Sequence, residues 1–244
     1  MNTPRTSDAT IVDIVEDACA TVAMANRVLF KQGVVDAFGH VSMRHPVNPR
    51  NFLLARNMAP AQVAAADVLE FDEDSEPIDA GGRRVYLERF IHGEIYRARP
   101  DVLAVVHSHS PAVVPFGVVP SVPLRPVGHM SGFLGAGAPV FEIRCCAGDN
   151  SDLLIRSKEL GACLADSLAS NAVVLMRGHG STVVGNSIYQ AVFRAIYTES
   201  NARLQMAALQ LGTPTYLTAG ECVAAAAAND GQIRRAWDMW AEGL

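Results

Sequence analysis

Two apolar runs that each end in histidine constrain this chain more than any other feature. Val102-Leu103-Ala104-Val105-Val106 leads into His107-Ser108-His109-Ser110-Pro111, and Val173-Val174-Leu175-Met176 leads into Arg177-Gly178-His179-Gly180. Short apolar runs bounded by turn residues are predicted buried strands. Residues i and i+2 of a strand share a face, so His107 and His109 project from one side at a strand end. They form a ready pair of nitrogen ligands for a divalent metal. His179 offers a third from the end of another strand, between glycines that let backbone approach closely. An isolated His-x-His pair is more often hydrogen-bonded core than metal site. The third strand-end histidine turns the reading toward metal, and three ligands with one open position is a catalytic layout.

Composition frames what surrounds these strands. With 50% hydrophobic and 18% charged residues among 244, the chain can bury one large core. A net charge of -5 argues against nucleic-acid or anionic-membrane partners. No apolar run is long enough for a membrane span, and the N-terminus lacks a signal-peptide core. The five cysteines, odd in number and without CxxC spacing, read as free thiols of a cytoplasmic protein.

Periodicity predicts a first helix over 8–32, strands over 40–44, 52–56 and 68–71, and a helix over 88–99 that stops before Pro100. Further strands are expected near Val127 and over 140–143, with helices over 151–168 and 187–211. Strands interleaved with helices give an α/β fold: one layered domain over 1–244, with a central mixed, largely antiparallel sheet flanked by helices. Residues 1–8 are expected to be a flexible N-terminus. Sheet edges and the apolar C-terminal residues Trp237, Met239 and Trp240 need covering, for which a homo-oligomer is expected.

Glu88 opens the predicted helix over 88–99, where the helix dipole favours a carboxylate, and His92 follows one turn later. A first-turn acid is usually just that. Here it precedes a metal-bearing strand, and a metal that stabilises an oxyanion still needs a group to move the proton.

The order Gly39-His40-Val41-Ser42, Glu88-Arg89-Phe90-Ile91-His92, Arg99-Pro100-Asp101, His107-Ser108-His109-Ser110-Pro111 and Gly178-His179-Gly180 resembles the class II aldolase/adducin family. The resemblance runs from about residue 10 to 240. It implies a class II aldolase-like fold, a homotetramer with active sites near subunit interfaces, His107, His109 and His179 as metal ligands, and Glu88 as the acid/base. The cofactor would be one divalent ion per subunit, Zn2+ or Mn2+, with Fe2+ or Co2+ as further options.

The sugar-phosphate aldolases of that family hold phosphate with an Asn in a Gly-Asn-x-Ser turn and with two Ser before the acidic residue. This chain has His40 at the Asn position and Tyr86-Leu87 before Glu88. Leu offers no donor to a phosphate, and Tyr86 presents an apolar face suited to a planar ring. The altered pattern, with Leu53-Leu54-Ala55-Arg56 and Ala59-Pro60, resembles decarboxylases of hydroxylated aromatic dicarboxylates such as 3-hydroxy-2-methylpyridine-4,5-dicarboxylate or 3,4-dihydroxyphthalate. The expected function is metal-dependent decarboxylation of such a small-molecule hydroxy-carboxylate. Arg56 is the candidate fork for a second carboxylate, and His40, Ser42 and Tyr86 are further substrate-binding candidates. His129 could be a pocket or a structural residue. The alternatives are an aldolase cleaving an unphosphorylated hydroxy-keto substrate and a non-catalytic adducin-like scaffold, with a metal-dependent oxygenase more remote.

Overall fold

The computed structural model describes residues 8–244. The expected flexible N-terminus lies outside the described residues except for Asp8, which opens the first helix. In chain order the elements are α1 (Asp8–Lys31), β1 (His40–Arg44), β2 (Phe52–Ala55), β3 (Val68–Phe71), α2 (Arg89–Ala98) and β4 (Ala104–Ser108). There follow α3 (Val114–Val118), β5 (Val140–Phe141), α4 (Arg144–Ala147), α5 (Lys158–Leu168), β6 (Val173–Met176), β7 (Gly180–Gly185), α6 (Ile188–Leu211), α7 (Ala219–Asp230) and α8 (Ile233–Ala241).

One seven-stranded sheet runs β3-β2-β1-β4-β7-β6-β5. Neighbours are antiparallel except β5 and β6, which are parallel, so the sheet is mixed as expected. Both faces are covered, which is why the strand runs are continuously apolar rather than alternating. Ala104 and Val106 join the core beneath α1 and α6, together with Val41, Val173, Leu175 and Val183. Val105 turns the other way, with Leu54, Val174 and Val184, to pack against Ile91 and Ile95 of α2 and Leu164 of α5.

This alternation decides where the site lies. His107 shares the face of Val105, and β1 pairs with β4 so that Ser42 opposes Val105 and His40 opposes His107. His40, Ser42 and His107 therefore point to the α2 side of the sheet. Glu88, His92 and Tyr96, spaced four apart at and within α2, bring one helix face over them.

The His179 turn depends on its glycines. Gly178 has φ +67°, a left-handed conformation that costs an L side chain about 1 kcal/mol or more. A Cβ on Gly180 would fall inside the Ser108 carbonyl and against His109 Cα, so β4 and β7 meet at this position only without a side chain. Gly180→Ala should cost about 2 kcal/mol, lowering Tm by roughly 4–8 °C. An unchanged thermal melt would contradict the close approach.

Several expectations need correction. No strand forms near Val127. Buried Asn201 and Gln205 of α6 take the backbone groups a strand partner would have taken: Val127 N–H donates to Asn201 Oδ1 and Arg125 N–H to Gln205 Oε1. Gln205 Nε2 in turn donates to the Pro123 carbonyl. The helix expected from 151 begins at Lys158, where the Ser157 side chain accepts the Leu160 N–H, and the preceding loop serves the site instead. The strand expected over 140–143 stops at Phe141, and the one over 52–56 stops at Ala55.

The C-terminal tail forms α7, opened by a Thr218–Glu221 capping box, and α8. Trp237 and Trp240 are buried within their own chain. Trp237 lies edge-on to Tyr189 of α6 with ring centroids 4.8 Å apart, and Trp240 packs near Phe193 and Tyr197. They need no neighbouring subunit, whereas Met239 is exposed. All five cysteines are free. Among the described residues no helix is long and apolar enough to cross a membrane.

Candidate active site

Glu88, His107, His109 and His179 converge, with one potential ligand atom from each lying within 4.8 Å of the others. His107 and His109 arrive from the end of β4, His179 from the β6–β7 turn, and Glu88 from the residue before α2. Glu88 Oε2 stands 3.5 Å from His107 Nε2 and 3.6 Å from His179 Nε2, and His179 Nε2 stands 2.9 Å from His109 Nε2.

Backbone carbonyls orient two of the rings. His107 Nδ1 lies 3.2 Å from the Ser181 carbonyl and His179 Nδ1 lies 2.9 Å from the Leu153 carbonyl. A carbonyl only accepts, so each ring carries its proton on Nδ1 and turns an Nε2 lone pair into the cluster. Next to them, Ser110 Oγ and the Ala112 N–H donate to the buried Glu199 of α6, which anchors the segment after His109.

Burial sets the charge state. It pushes His107 well below its ordinary pKa and His179 down to about 4, in both cases with help from neighbouring histidines. Burial also raises Glu88 to about 7, against the opposing pull of the Ile155 N–H that donates to its Oε1 over 3.0 Å. The site thus holds neutral imidazoles and an acid poised near neutrality. This corrects the picture of Glu88 as a first-turn acid stabilised by the helix dipole: it precedes the helix, its side chain makes no cap, and it is buried.

Whether a divalent ion fits can be judged from one atom. His107 Nε2 is buried with no hydrogen-bond partner, a cost of about 1–3 kcal/mol that native proteins seldom bear. A cation held by this lone pair together with His109 and His179 would remove that cost, with Glu88 beside it. Neutral nitrogens with an oxygen suit a divalent ion, and the donor set fits.

Beside the cluster opens a cavity of about 460 Å³, lined by Glu88, His109, His40, Tyr86 and Asn57, with exposed Phe38 and Leu87 at its side. The His40 and Tyr86 rings stand 4.5 Å apart, and Tyr86 Oη donates to the Met58 carbonyl, which commits its hydroxyl. The other expected residues fall elsewhere. Ser42 is buried beneath His92 and does not line the cavity. Arg56 is half-exposed outside the lining, its Nε 2.8 Å from Asp67 Oδ1. His129 is exposed on a different surface, beside α7. Sequence reasoning overlooked Tyr96, Asn57 and the backbone of Leu153 and Ile155. The spacing 88, 92, 96 carried a readable sign of Tyr96; the loop contributions left none.

Residues 20–206 match the family described as Class II Aldolase and Adducin N-terminal domain. The chain belongs to the class II aldolase/adducin family. Within that family it is 39% identical to decarboxylase tropJ of Talaromyces stipitatus, over 87% of this chain and 88% of that protein. It is 32% identical to a 3,4-dihydroxyphthalate decarboxylase of Arthrobacter keyseri, over 78% of each. Among solved structures, an aldolase II superfamily protein from Pseudomonas syringae superposes with a TM-score of 0.75 at 19% identity, covering 97% of this chain and 93% of that one. An L-fuculose 1-phosphate aldolase from Glaciozyma antarctica gives 0.72 at 23% identity, covering 91% and 85%. These structures establish the class II aldolase fold. The sequence relatives place the chain in the decarboxylase branch of the family, as an enzyme of lyase type.

Proposed function

We propose that this class II aldolase-family protein is a divalent-metal-dependent decarboxylase of a hydroxylated aromatic mono- or dicarboxylate. The observation that carries the reading is the buried, partnerless His107 Nε2 facing Glu88, beside a cavity walled by aromatic rings. The decarboxylase names of its relatives support it.

His107, His109 and His179 would hold the ion, with Glu88 beside it, and when bound it would supply Lewis-acid stabilisation of negative charge on the ring oxygens. The chain's own residues do the rest. The His40 and Tyr86 rings pack a planar substrate, while the Tyr86 hydroxyl, already committed to Met58, has no hydrogen left for a phosphate. As the carbon–carbon bond breaks, its electron pair stays on the ring carbon and carbon dioxide leaves. Glu88, buried beside the three histidines, is the group placed to deliver a proton to that carbon. Asn57 and His40 are the polar side chains left to meet the substrate's carboxylates. Arg56 would take part from the rim through its terminal nitrogens, since its Nε is paired with Asp67.

The same reading includes Zn2+ or Mn2+ as the ion, Fe2+ and Co2+ being compatible with the donor set, and a homotetramer in which a neighbour covers the exposed Phe38 and Leu87. A cytoplasmic location accords with five unpaired thiols.

The test is product analysis of the metal-loaded protein. With 3,4-dihydroxyphthalate or a related hydroxyaromatic acid it should release carbon dioxide and no aldehyde. Aldehyde formation from a hydroxy-keto compound, with no carbon dioxide from any hydroxyaromatic acid, would make the protein an aldolase instead. Elemental analysis of protein purified without added metal should find one of the named ions.

A further inference from the structure

His40 does not stand alone at the cavity. Its Nδ1 lies 2.7 Å from His92 Nε2, His92 Nδ1 lies 2.6 Å from Ser42 Oγ, and Ser42 Oγ lies 2.7 Å from Tyr96 Oη. All four side chains are buried, and the Phe52 ring lies parallel to His92 on an apolar side. Both rings are buried and neither is paired with a carboxylate among the described residues, so both are neutral.

A neutral imidazole has one N–H and one lone pair, and a hydroxyl donates once. Ser42 Oγ could also accept from both neighbours, but its own hydrogen would then have no acceptor among the described residues, which leaves two arrangements in which all three bonds run the same way. In one, Tyr96 donates to Ser42, Ser42 to His92 Nδ1, and His92 Nε2–H to His40 Nδ1. The proton of His40 must then sit on Nε2. In the other, every bond reverses, His40 shows a bare lone pair at Nε2, and Tyr96 must place its hydrogen elsewhere.

The two differ at the buried end. Among the described residues, Ser42 Oγ is the one side-chain acceptor within reach of Tyr96 Oη. Reversal strands that hydroxyl in the interior, where an unsatisfied donor costs about 1–3 kcal/mol. At the other end His40 lines the cavity, and its Nε2 has no partner among the described residues.

We propose that Tyr96, Ser42 and His92 form a one-directional relay that locks His40 as a neutral Nε2–H donor toward a carboxylate or phenol oxygen of the substrate. The tautomer follows from the relay alone; the identity of its acceptor rests on the function proposed above. Ser42 thereby becomes a positioning residue and not a substrate contact. The relay also separates His40 from the metal ligands. Its ring centroid is 5.1 Å from that of His107, yet a nitrogen that carries a proton cannot ligate an ion. Four histidines crowd the site, and the hydrogen-bond chain leaves three of them with lone pairs to offer.

Long-range 1H–15N correlation spectra of the full chain, with 15N-labelled histidine and added zinc, read the tautomer directly. His40 is assigned by the signals lost in His40→Gln. The expected result is a neutral His40 protonated on Nε2, giving way to a mixed or Nδ1-protonated ring in Ser42→Ala and Tyr96→Phe. An Nδ1-protonated His40 in the unaltered protein overturns the relay, as does an Nε2–H tautomer unchanged in both variants. With 3,4-dihydroxyphthalate as substrate, Ser42→Ala should raise KM about tenfold while kcat changes less than about threefold and zinc content stays constant. An unchanged KM removes the relay's role in binding. Failure of the unaltered protein to bind or decarboxylate any hydroxyaromatic acid overturns the proposed function, while the tautomer measurement still decides the relay.

Discussion

His107→Ala should leave a folded protein that holds no divalent ion and has lost at least about 10³-fold of its activity. The Lewis-acid contribution to such a reaction is several kcal/mol, and each 1.36 kcal/mol is a factor of ten. Folding should survive because the lost Nε2 was a buried atom without a partner, and its removal takes away a penalty along with the packing of the ring. His109→Ala and His179→Ala should behave alike, since the three nitrogens close one cluster. Metal analysis, circular dichroism and initial rates on the same preparations check each part. Removing the ion from the unaltered protein should abolish activity, and restoring it should rescue that protein but none of the variants. Full activity in the stripped protein would remove the metal from the mechanism.

Glu88→Gln should lose roughly 10²- to 10⁴-fold in kcat, the usual contribution of a positioned acid, while gaining stability in the metal-free state above neutral pH. The two effects share one cause. Burial raises the folded pKa of Glu88 to about 7, from an ordinary value of 4.5. The folded state therefore binds this proton more tightly than the unfolded state does. Stability linked to it is fully present below about pH 4.5 and is lost as pH rises through about 7, by on the order of 1.4 kcal/mol per pH unit. Gln carries no charge to bury, so metal-free Glu88→Gln should melt higher than the metal-free unaltered protein at pH 8 and the two should converge at pH 4.5. Melting curves at both pH values check the linkage. Equal melting at pH 8 would mean that Glu88 is not buried as a charge, and an undiminished kcat would remove it as the acid.

The mixed sheet and the pairing of the strand-end histidines were legible in the sequence from short-range rules, while the decarboxylase branch and the place of Glu88 beside the histidines were legible only through the resemblance of their motifs to the family. Continuous apolar runs mean strands covered on both faces, and strand-end histidines two apart must share a side. Less was legible where a long-range partner replaced a local one. The segment near Val127 has the composition of a strand, but side chains of α6 nearly eighty residues away in sequence satisfy its backbone. The loop before α5 was read as helix, yet its backbone is needed to hold Glu88 and His179. Trp237 and Trp240 looked like an oligomer surface, and the aromatic side chains of α6 cover them within the chain.

The sequence by itself determined which strand ends carry histidine, that a carboxylate stands four residues before His92, and that Tyr86 and Leu87 precede that carboxylate. Only the tertiary structure decided their chemical states. Glu88 became an acid poised near neutrality, His107 a lone pair without a partner, Ser42 a link behind His40, and Arg56 the partner of Asp67. Residue type and spacing follow from covalent order and strand period, which are local. Protonation and hydrogen-bond direction depend on desolvation and on neighbours from distant segments, and those exist only once the chain has closed around them.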